Sequence, residues 1–357
     1  MKPLEYLKKL NDAGYEAYIV GGYVRDTLLG INTNDVDIAT NATPEEITKM
    51  FGISLKDELG SVNIKSGDMN IDITTYRKEY EYIGHKPSSV EYIDDLMEDL
   101  KRRDFTINAI CMNSEGITFD PLNGIDDLNA RIIKCIGNAN VRFTEDPLRM
   151  LRALRLSIIY DLEIDDDALQ FILNNKDFFN QISYERKRNE LDKILVSDNC
   201  IKGLKFLKDL DILNYLGIDY DNINSTHDLL GMWAQLEYDG KYPFTKHERV
   251  RIDNIKNIIQ IGKIDEHILF RYGLYDSLVA AKILGIPKSE INDKYNNMQI
   301  HDISELKING NDIIDALLLK DYKLIKVIKK DLLENIISGN LTNEKLDLIN
   351  YIIKKWK

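Results

Sequence analysis

Tyr18-Ile19-Val20-Gly21-Gly22-Tyr23-Val24-Arg25-Asp26, with Asn34-Asp35-Val36-Asp37-Ile38-Ala39 close behind it, is the stretch on which the fold turns. Residues Tyr15–Val20 read as a short buried strand ending at two glycines, and Tyr23–Leu29 as a helical run stopped by Gly30. Glycine lets backbone N–H groups come close to a triphosphate, and a helix start favours anions. Arg25, one helical turn on, is expected to reach the same phosphates. A second strand is expected around Asp35–Ala39, and residues two apart on a strand face the same way. Asp35 and Asp37 would then offer hard oxygen ligands to Mg2+, which completes its shell with water and substrate phosphate. Alone, such a pair fits two solvated aspartates in a turn better. The double glycine and arginine ahead of it give it weight.

Working outward, a helix is expected near Pro44–Phe51 and strands around Val62–Ile64 and Ile71–Thr75. That pattern predicts an α+β class with a mixed sheet at the N-terminus. From about Asn140 the pattern turns helical, with Leu148, Leu151, Leu154 and Ile158 on one face. Breaks are expected near Gly137, near Asp198–Asn199 and in the polar stretch Pro287–His301. The chain therefore divides into 1–137, 138–198, 199–290 and 291–357.

The 357 residues are 44% hydrophobic and 30% charged, an ordinary globular balance. No stretch approaches the roughly 20 apolar residues of a membrane span, and the charged start predicts no signal peptide. Cys111, Cys135 and Cys200 are far apart and odd in number, which predicts reduced thiols in a cytoplasmic protein. The net charge of −12 argues against a nucleic-acid partner. Local clusters argue the other way: Lys101-Arg102-Arg103, then Arg142, Arg149, Arg152 and Arg155, then Arg186-Lys187-Arg188.

Three further segments carry chemistry. Lys101-Arg102-Arg103-Asp104-Phe105-Thr106-Ile107-Asn108-Ala109 sets guanidinium groups beside an acid, which suits phosphate or ribose contacts or a salt-bridged surface patch. In Glu145-Asp146-Pro147-Leu148-Arg149, Pro147 suits a first helical turn, so Asp146 and Arg149 would be i and i+3 on one face. Such a pair offers an acceptor and a donor set. Cytosine and adenine share the complementary order on their pairing edges, and guanine and uracil reverse it, so the pair would accept C and A. A bidentate contact of this kind discriminates by roughly 1–3 kcal/mol. The simpler reading is a helix start with i, i+3 ion pairs. Ile182-Ser183-Tyr184-Glu185-Arg186-Lys187-Arg188-Asn189-Glu190-Leu191 reads as a helix capped by Ser183 that braces the preceding one, a structural role.

Taken together, these motifs resemble the nucleotidyltransferases that add CCA to the 3′ end of tRNA, in their bacterial and eukaryotic form; the bacterial poly(A) polymerases belong to the same group. The resemblance runs from Tyr18 to about Leu195 and thins beyond. It implies a polymerase-beta-like nucleotidyltransferase head followed by an all-helical neck, body and tail. It implies nucleotide and metal binding by Gly22, Arg25, Asp35 and Asp37, nucleotide contact by Arg103, Arg152 and Arg155, and base selection by Asp146 and Arg149. Asp72 stands where related sequences carry an acid, either a third active-site carboxylate or a strand residue capped by a nearby base. The polar stretch between Thr75 and Arg102, with Tyr82, His85, Lys86, Pro87 and Ser88, corresponds to a flexible loop associated with the final A addition. Asn138 and Leu156 depart from an aspartate and an aromatic usual in the family. Implied partners are tRNA, CTP and ATP, with Mg2+ as cofactor, no membrane, and a monomer or homodimer. Lys323, Lys326, Lys330 and the Lys354-Lys355-Trp356-Lys357 end would meet tRNA or line a solvated helix face. His227-Asp228 resembles half of a phosphohydrolase site and reads as incidental. The competing expectations are an A-adding enzyme, a poly(A) polymerase, and an RNA-binding module that has lost catalysis.

Overall fold

In the computed structural model of the chain, which describes residues 2–54, 60–83, 86–319 and 323–356, strand burial alternates where the sequence alternates. The N-terminal part comprises α1 (Pro3–Asp12), β1 (Ala17–Val20), α2 (Gly22–Leu28), β2 (Asp35–Thr40), α3 (Pro44–Phe51), β3 (Ser61–Ser66) and β4 (Met69–Thr75). It continues through β5 (Arg77–Ile83), β6 (Lys86–Tyr92), α4 (Leu96–Lys101), β7 (Cys111–Met112), β8 (Thr118–Phe119) and α5 (Gly124–Asn129). Six of these strands form one mixed sheet in the order β3-β4-β2-β1-β7-β8. β2 lies at its centre, antiparallel to β1 and parallel to β4, with Val20 opposite Asp37 and Asp37 opposite Asp72. Val36 and Ile38 are buried while Asp35 and Asp37 are exposed, so the aspartates share the open face of the sheet. α3 has the bounds expected from sequence: Thr43 and Glu46 form a capping box, Pro44 takes the first turn, and Gly52 ends the helix at φ 67°.

A helical layer follows: α6 (Ala139–Glu145), α7 (Leu148–Tyr160), α8 (Asp166–Asn174), α9 (Tyr184–Leu195), α10 (Cys200–Asp209) and α11 (Leu213–Leu216). Leu151, Leu154 and Ile158 of α7 are buried as their spacing predicts, and Leu148 is half-buried. By contacts, residues 1–194 and 202–217 form one compact unit and residues 195–201 and 218–357 a second, a coarser division than the four segments drawn from sequence. The second unit holds α12 (Leu229–Trp233), α13 (Lys246–Ile261), α14 (Glu266–Leu284), α15 (Lys288–Asn297), α16 (Gly310–Leu317), α17 (Lys323–Ile337) and α18 (Lys345–Trp356). Its C-terminal core gathers Ile300, Ile313, Ile328, Leu332, Leu348 and Ile352.

Two expectations are corrected. The stretch Thr75–Arg102 is not a loop: Arg77–Ile83 pairs antiparallel with Lys86–Tyr92 as a two-stranded ribbon. His85 and the side chains of Tyr82, Lys86 and Pro87 lie outside the described residues; Ser88 Oγ donates to the Tyr80 carbonyl at 3.2 Å. The polar stretch Pro287–His301 is mostly helix α15, capped at Pro287 and anchored by Ile291, its one buried residue. Lys323, Lys326 and Lys330 are exposed on α17. Lys355 is tied to Asp331 at 2.8 Å, and Lys357 falls outside the described residues. Among the described residues no helix is long and apolar enough to cross a membrane.

Candidate active site

The open face of the sheet and the helices α7 and α9 enclose a cleft of about 790 Å3, roomy enough for a nucleoside triphosphate. Its lining includes Gly22, Arg25, Asp35, Asp37, Arg103, Asp146, Arg149, Arg152 and Arg155, so the residues singled out from distant parts of the sequence meet in one place. Asp72 does not line it. Its carboxylate sits beside Asp37 on the neighbouring strand and accepts from Asn63 Nδ2 at 2.8 Å.

The Asp37 side chain meets water, yet the protein around the cleft floor strips enough hydration to push its carboxyl up. Arg103 opposes this and the charges of Asp72 and Asp35 add to it. A carboxylate under that pressure is relieved by a cation. Gly21 stands above it at φ 78°, and a Cβ there would come 3.2 Å from Asp37 Oδ2. Sequence reading gave the weight to Gly22; Gly21 is the one of the two whose backbone lies in the left-handed region, where a side chain would be strained and would crowd the Asp37 carboxylate. The signal was the doublet itself. Among the described residues no three His, Cys, Asp or Glu side chains converge on one point. Two strand carboxylates with water and phosphate suffice for a hard divalent ion, so the donor set fits Mg2+ without a protein cage.

The basic side chains are held from within. Arg25 is buried: Nε and Nη2 donate to Asp26 Oδ1 at 2.9 and 2.7 Å, Nη1 to Asn108 Oδ1 at 2.5 Å, and Nη2 to the Tyr160 hydroxyl at 2.7 Å. Its guanidinium also lies 4.3 Å from the centre of the Tyr160 ring. That leaves little of its five-donor fork for phosphate. Arg103 donates to Asp99 at 3.2 Å. Arg152 is fixed on Asp104 at 2.6 Å, and Arg155 on Glu190. Burial alone would raise the Asp104 carboxyl, but Arg152, Asn108 and the Phe105 N–H together hold it well below the usual carboxylate range.

Asp146 and Arg149 both face the cleft, though not as an i, i+3 helix pair. Asp146 ends α6 in extended backbone (φ −148°), one residue before the Pro147 cap of α7. Arg186 of α9 grips it with two bonds, at 3.0 and 2.7 Å. Arg149 donates instead to Glu145 at 2.7 Å and to the Arg142 carbonyl at 2.9 Å. Sequence reading missed Glu145 and Arg186 as the partners that orient the pair. α9 braces the segment that carries Asp146 and Arg155, through Arg186–Asp146 and Arg155–Glu190, with Ser183 Oγ accepting from Arg186 N at 3.4 Å. Asn138 caps α6 at Val141 N, 3.3 Å away, and Leu156 is fully buried. Asp228 caps α12 and accepts from the Tyr275 hydroxyl at 2.6 Å, a structural use for the His227-Asp228 pair.

A central strand bearing two cleft-facing carboxylates beside a glycine turn, ringed by arginines and continued by a helical layer, defines a nucleotidyltransferase. Family models carry this further. Residues 17–134 match the poly A polymerase head domain, 161–220 a region described as the probable RNA and SrmB binding site of polymerase A, and 258–352 a putative domain 2 of tRNA nucleotidyltransferases. The CCA-adding enzyme of Ligilactobacillus salivarius is 32% identical over 98% of this chain and 95% of its own length. That of Staphylococcus aureus is 31% identical over 97% and 96%. The crystal structure of the Bacillus stearothermophilus CCA-adding enzyme in complex with CTP superposes with a TM-score of 0.80 at 27% identity, covering 99% of this chain and 98% of that one. The chain belongs to the family of CCA-adding enzymes, the tRNA nucleotidyltransferases.

Proposed function

We propose that the protein adds CCA to the 3′ end of tRNA from CTP and ATP, without a nucleic-acid template. The observation that carries this reading is that one cleft is lined both by Asp35 and Asp37 and by Asp146 and Arg149. Phosphate chemistry and base choice can therefore act on the same nucleotide. The tRNA 3′-hydroxyl attacks the α-phosphate in line and pyrophosphate leaves. Asp35 and Asp37 would hold Mg2+, which supplies charge neutralisation at the triphosphate and a more nucleophilic hydroxyl. The bare backbone at Gly21 and Gly22 lets the triphosphate approach Asp37. Arg25, tied to Asp26, Asn108 and Tyr160, fixes that turn more than it grips phosphate. Arg103, Arg152 and Arg155 line the path of the nucleotide.

Base choice rests on preorganisation. The two bonds from Arg186 hold Asp146 as an acceptor, and Glu145 with the Arg142 carbonyl holds Arg149 as a donor. Neither group reorganises when C or A arrives, and G or U meets like against like. In this reading residues 1–137 are catalytic, 138–198 read the base, 199–290 form the body, and the lysines of 291–357 meet the tRNA. Extending purified tRNAs that end before CCA, at C and at CC, with Mg2+, CTP and ATP, tests it. Completion of all three is expected; extension of the CC-ending tRNA alone would show an A-adding enzyme, long A tails a poly(A) polymerase, and no extension would refute the reading.

A further inference from the structure

The arginines of the cleft share one property. Each has a carboxylate oxygen within 3.2 Å, as with Arg25 on Asp26 at 2.7 Å, Arg152 on Asp104 at 2.6 Å and Arg186 on Asp146 at 2.7 Å. To meet a phosphate, any of them must loosen or share a short charged contact. Lys193 is the exception among the described residues lining the cleft. Its ammonium lies 3.8 Å from Glu190 Oε1, beyond hydrogen-bond range. Glu190 already accepts from Arg155 through its other oxygen. The Lys193 side chain is 55% exposed, into the cleft.

Helix geometry brings it there. Arg186, Glu190 and Lys193 stand at i, i+4 and i+7 of α9 and share one face, the same face that holds Asp146. Glu190 is the strongest charge acting on its ammonium, followed by Arg155, Arg152 and Asp35, so it lies within reach of both the cleft arginines and one strand carboxylate. α9 thus does more than the bracing expected of it. A compact ammonium on a flexible stem, hydrogen-bonded to no carboxylate and only loosely paired with Glu190, suits a phosphate oxygen.

We propose that Lys193 is a phosphate-binding residue of the cleft, contacting either the triphosphate of the incoming nucleotide or the last phosphodiester of the RNA. The inference rests on the nucleotidyl-transfer reading above. Lys193 acts where two polyanions meet in a cleft whose other cations are already spoken for. Its contact adds positive charge at the expense only of a loose 3.8 Å pairing with Glu190, not of a hydrogen-bonded ion pair.

Equilibrium titrations of Mg·CTP and of a tRNA lacking CCA, on wild type, Lys193→Ala and Lys193→Arg, test this without turnover. Lys193→Ala is expected to weaken one of the two ligands by about tenfold, with the other within about twofold and the melting temperature unchanged. If the RNA is the one weakened, the slope of log K against log salt falls by about one, as for a single lost phosphate contact. If CTP is weakened, the triphosphate is the source. Lys193→Arg, which keeps the charge, restores binding. Wild-type affinity for both ligands in Lys193→Ala would overturn the proposal. So would an Arg variant as impaired as the Ala one, or joint weakening with a lowered melting temperature, which would mark a structural role. Failure of the wild type to extend tRNA bears on the function reading alone, because the titrations do not depend on it.

Discussion

Asp104 shows how one side chain can set the geometry of the cleft from beneath it. It is buried, takes Arg152 Nε and Nη2 at 2.7 and 2.6 Å and Asn108 Nδ2 at 2.9 Å, and Asn108 in turn takes Arg25. Removing its charge leaves Arg152 without its partner, so Asp104→Asn should destabilise the fold by on the order of 3 kcal/mol at pH 7. The pH dependence has a definite sign. The folded carboxyl is held below its ordinary value, so its contribution is present above the unfolded value of about 3.9 and is lost as pH falls below it. Denaturant melts of wild type and variant should therefore differ by a constant amount from pH 5 to 8 and converge below about pH 4. A gap that stays constant at pH 3 would contradict the pairing. None of this was legible in the sequence, because Asp104 and Arg152 are 48 residues apart and Arg25 and Asn108 are 83 apart. Residue types and spacing pointed to Asp35, Asp37 and the arginines. Which carboxylate each arginine would choose depended on tertiary folding.

At the scale of elements, legibility followed burial. Where a segment has one wet and one dry face or a complete cap, as in β2 and α3, the sequence located it closely. The ribbon β5–β6 went unread as a strand pair because none of its described apolar side chains is buried: Tyr80 and Tyr92 are 39% and 42% exposed, Val90 is half-buried, and Lys78, Ser88 and Glu91 face solvent. Alternation of apolar residues requires a core to alternate against. α15 was missed for the same reason, with Ile291 as its one buried side chain. The ribbon is nonetheless rooted in the site. Glu79 at its base accepts from Arg77 Nε at 2.9 Å and Arg102 Nη1 at 3.2 Å, and Arg77, Glu79 and Arg102 all line the cleft. Tyr80 pairs across from Ser89, so residues 81–88 can be replaced by Asn-Gly as a two-residue turn that keeps the register. Such a variant should still add both C residues while losing final A addition by on the order of a hundredfold, the scale of a misplaced reacting group. Product length on sequencing gels separates the two steps. Equal loss of C and A addition would mean the ribbon acts on general catalysis instead.

At the scale of the molecule, the three cysteines report on the division into units. Cys111 and Cys135 belong to the unit built from residues 1–194 and 202–217, and Cys200 to the other. All three are buried. Burial pushes the Cys111 and Cys135 thiols up to about 12. At pH 8 an unfolded thiol, with its ordinary value near 8.5, is roughly a quarter thiolate, whereas one at about 12 is thiolate only about once in ten thousand. The stability tied to these thiols is present below about pH 8.5 and is lost as pH rises beyond it toward the folded value. Alkylation at pH 8 therefore measures opening, not native reactivity, and opening proceeds by cooperative units. Cys111 sits in a sheet core with Val20, Ala39, Tyr76, Leu96 and Leu100, and its exposure requires that core to come apart. Cys135 lies in the same unit, next in sequence to Ile136 of that same core. Mass spectrometry of protein pulsed with iodoacetamide across a urea series should thus find Cys111 and Cys135 labelled at the same midpoint. Cys200 is free to follow a midpoint of its own. Separate midpoints for Cys111 and Cys135 would split the first unit and detach the sheet that carries Asp35 and Asp37 from the segment leading into Asp146. The cleft would then be held together in the native state by contacts between two separately unfolding parts, and its loss would follow the weaker of the two.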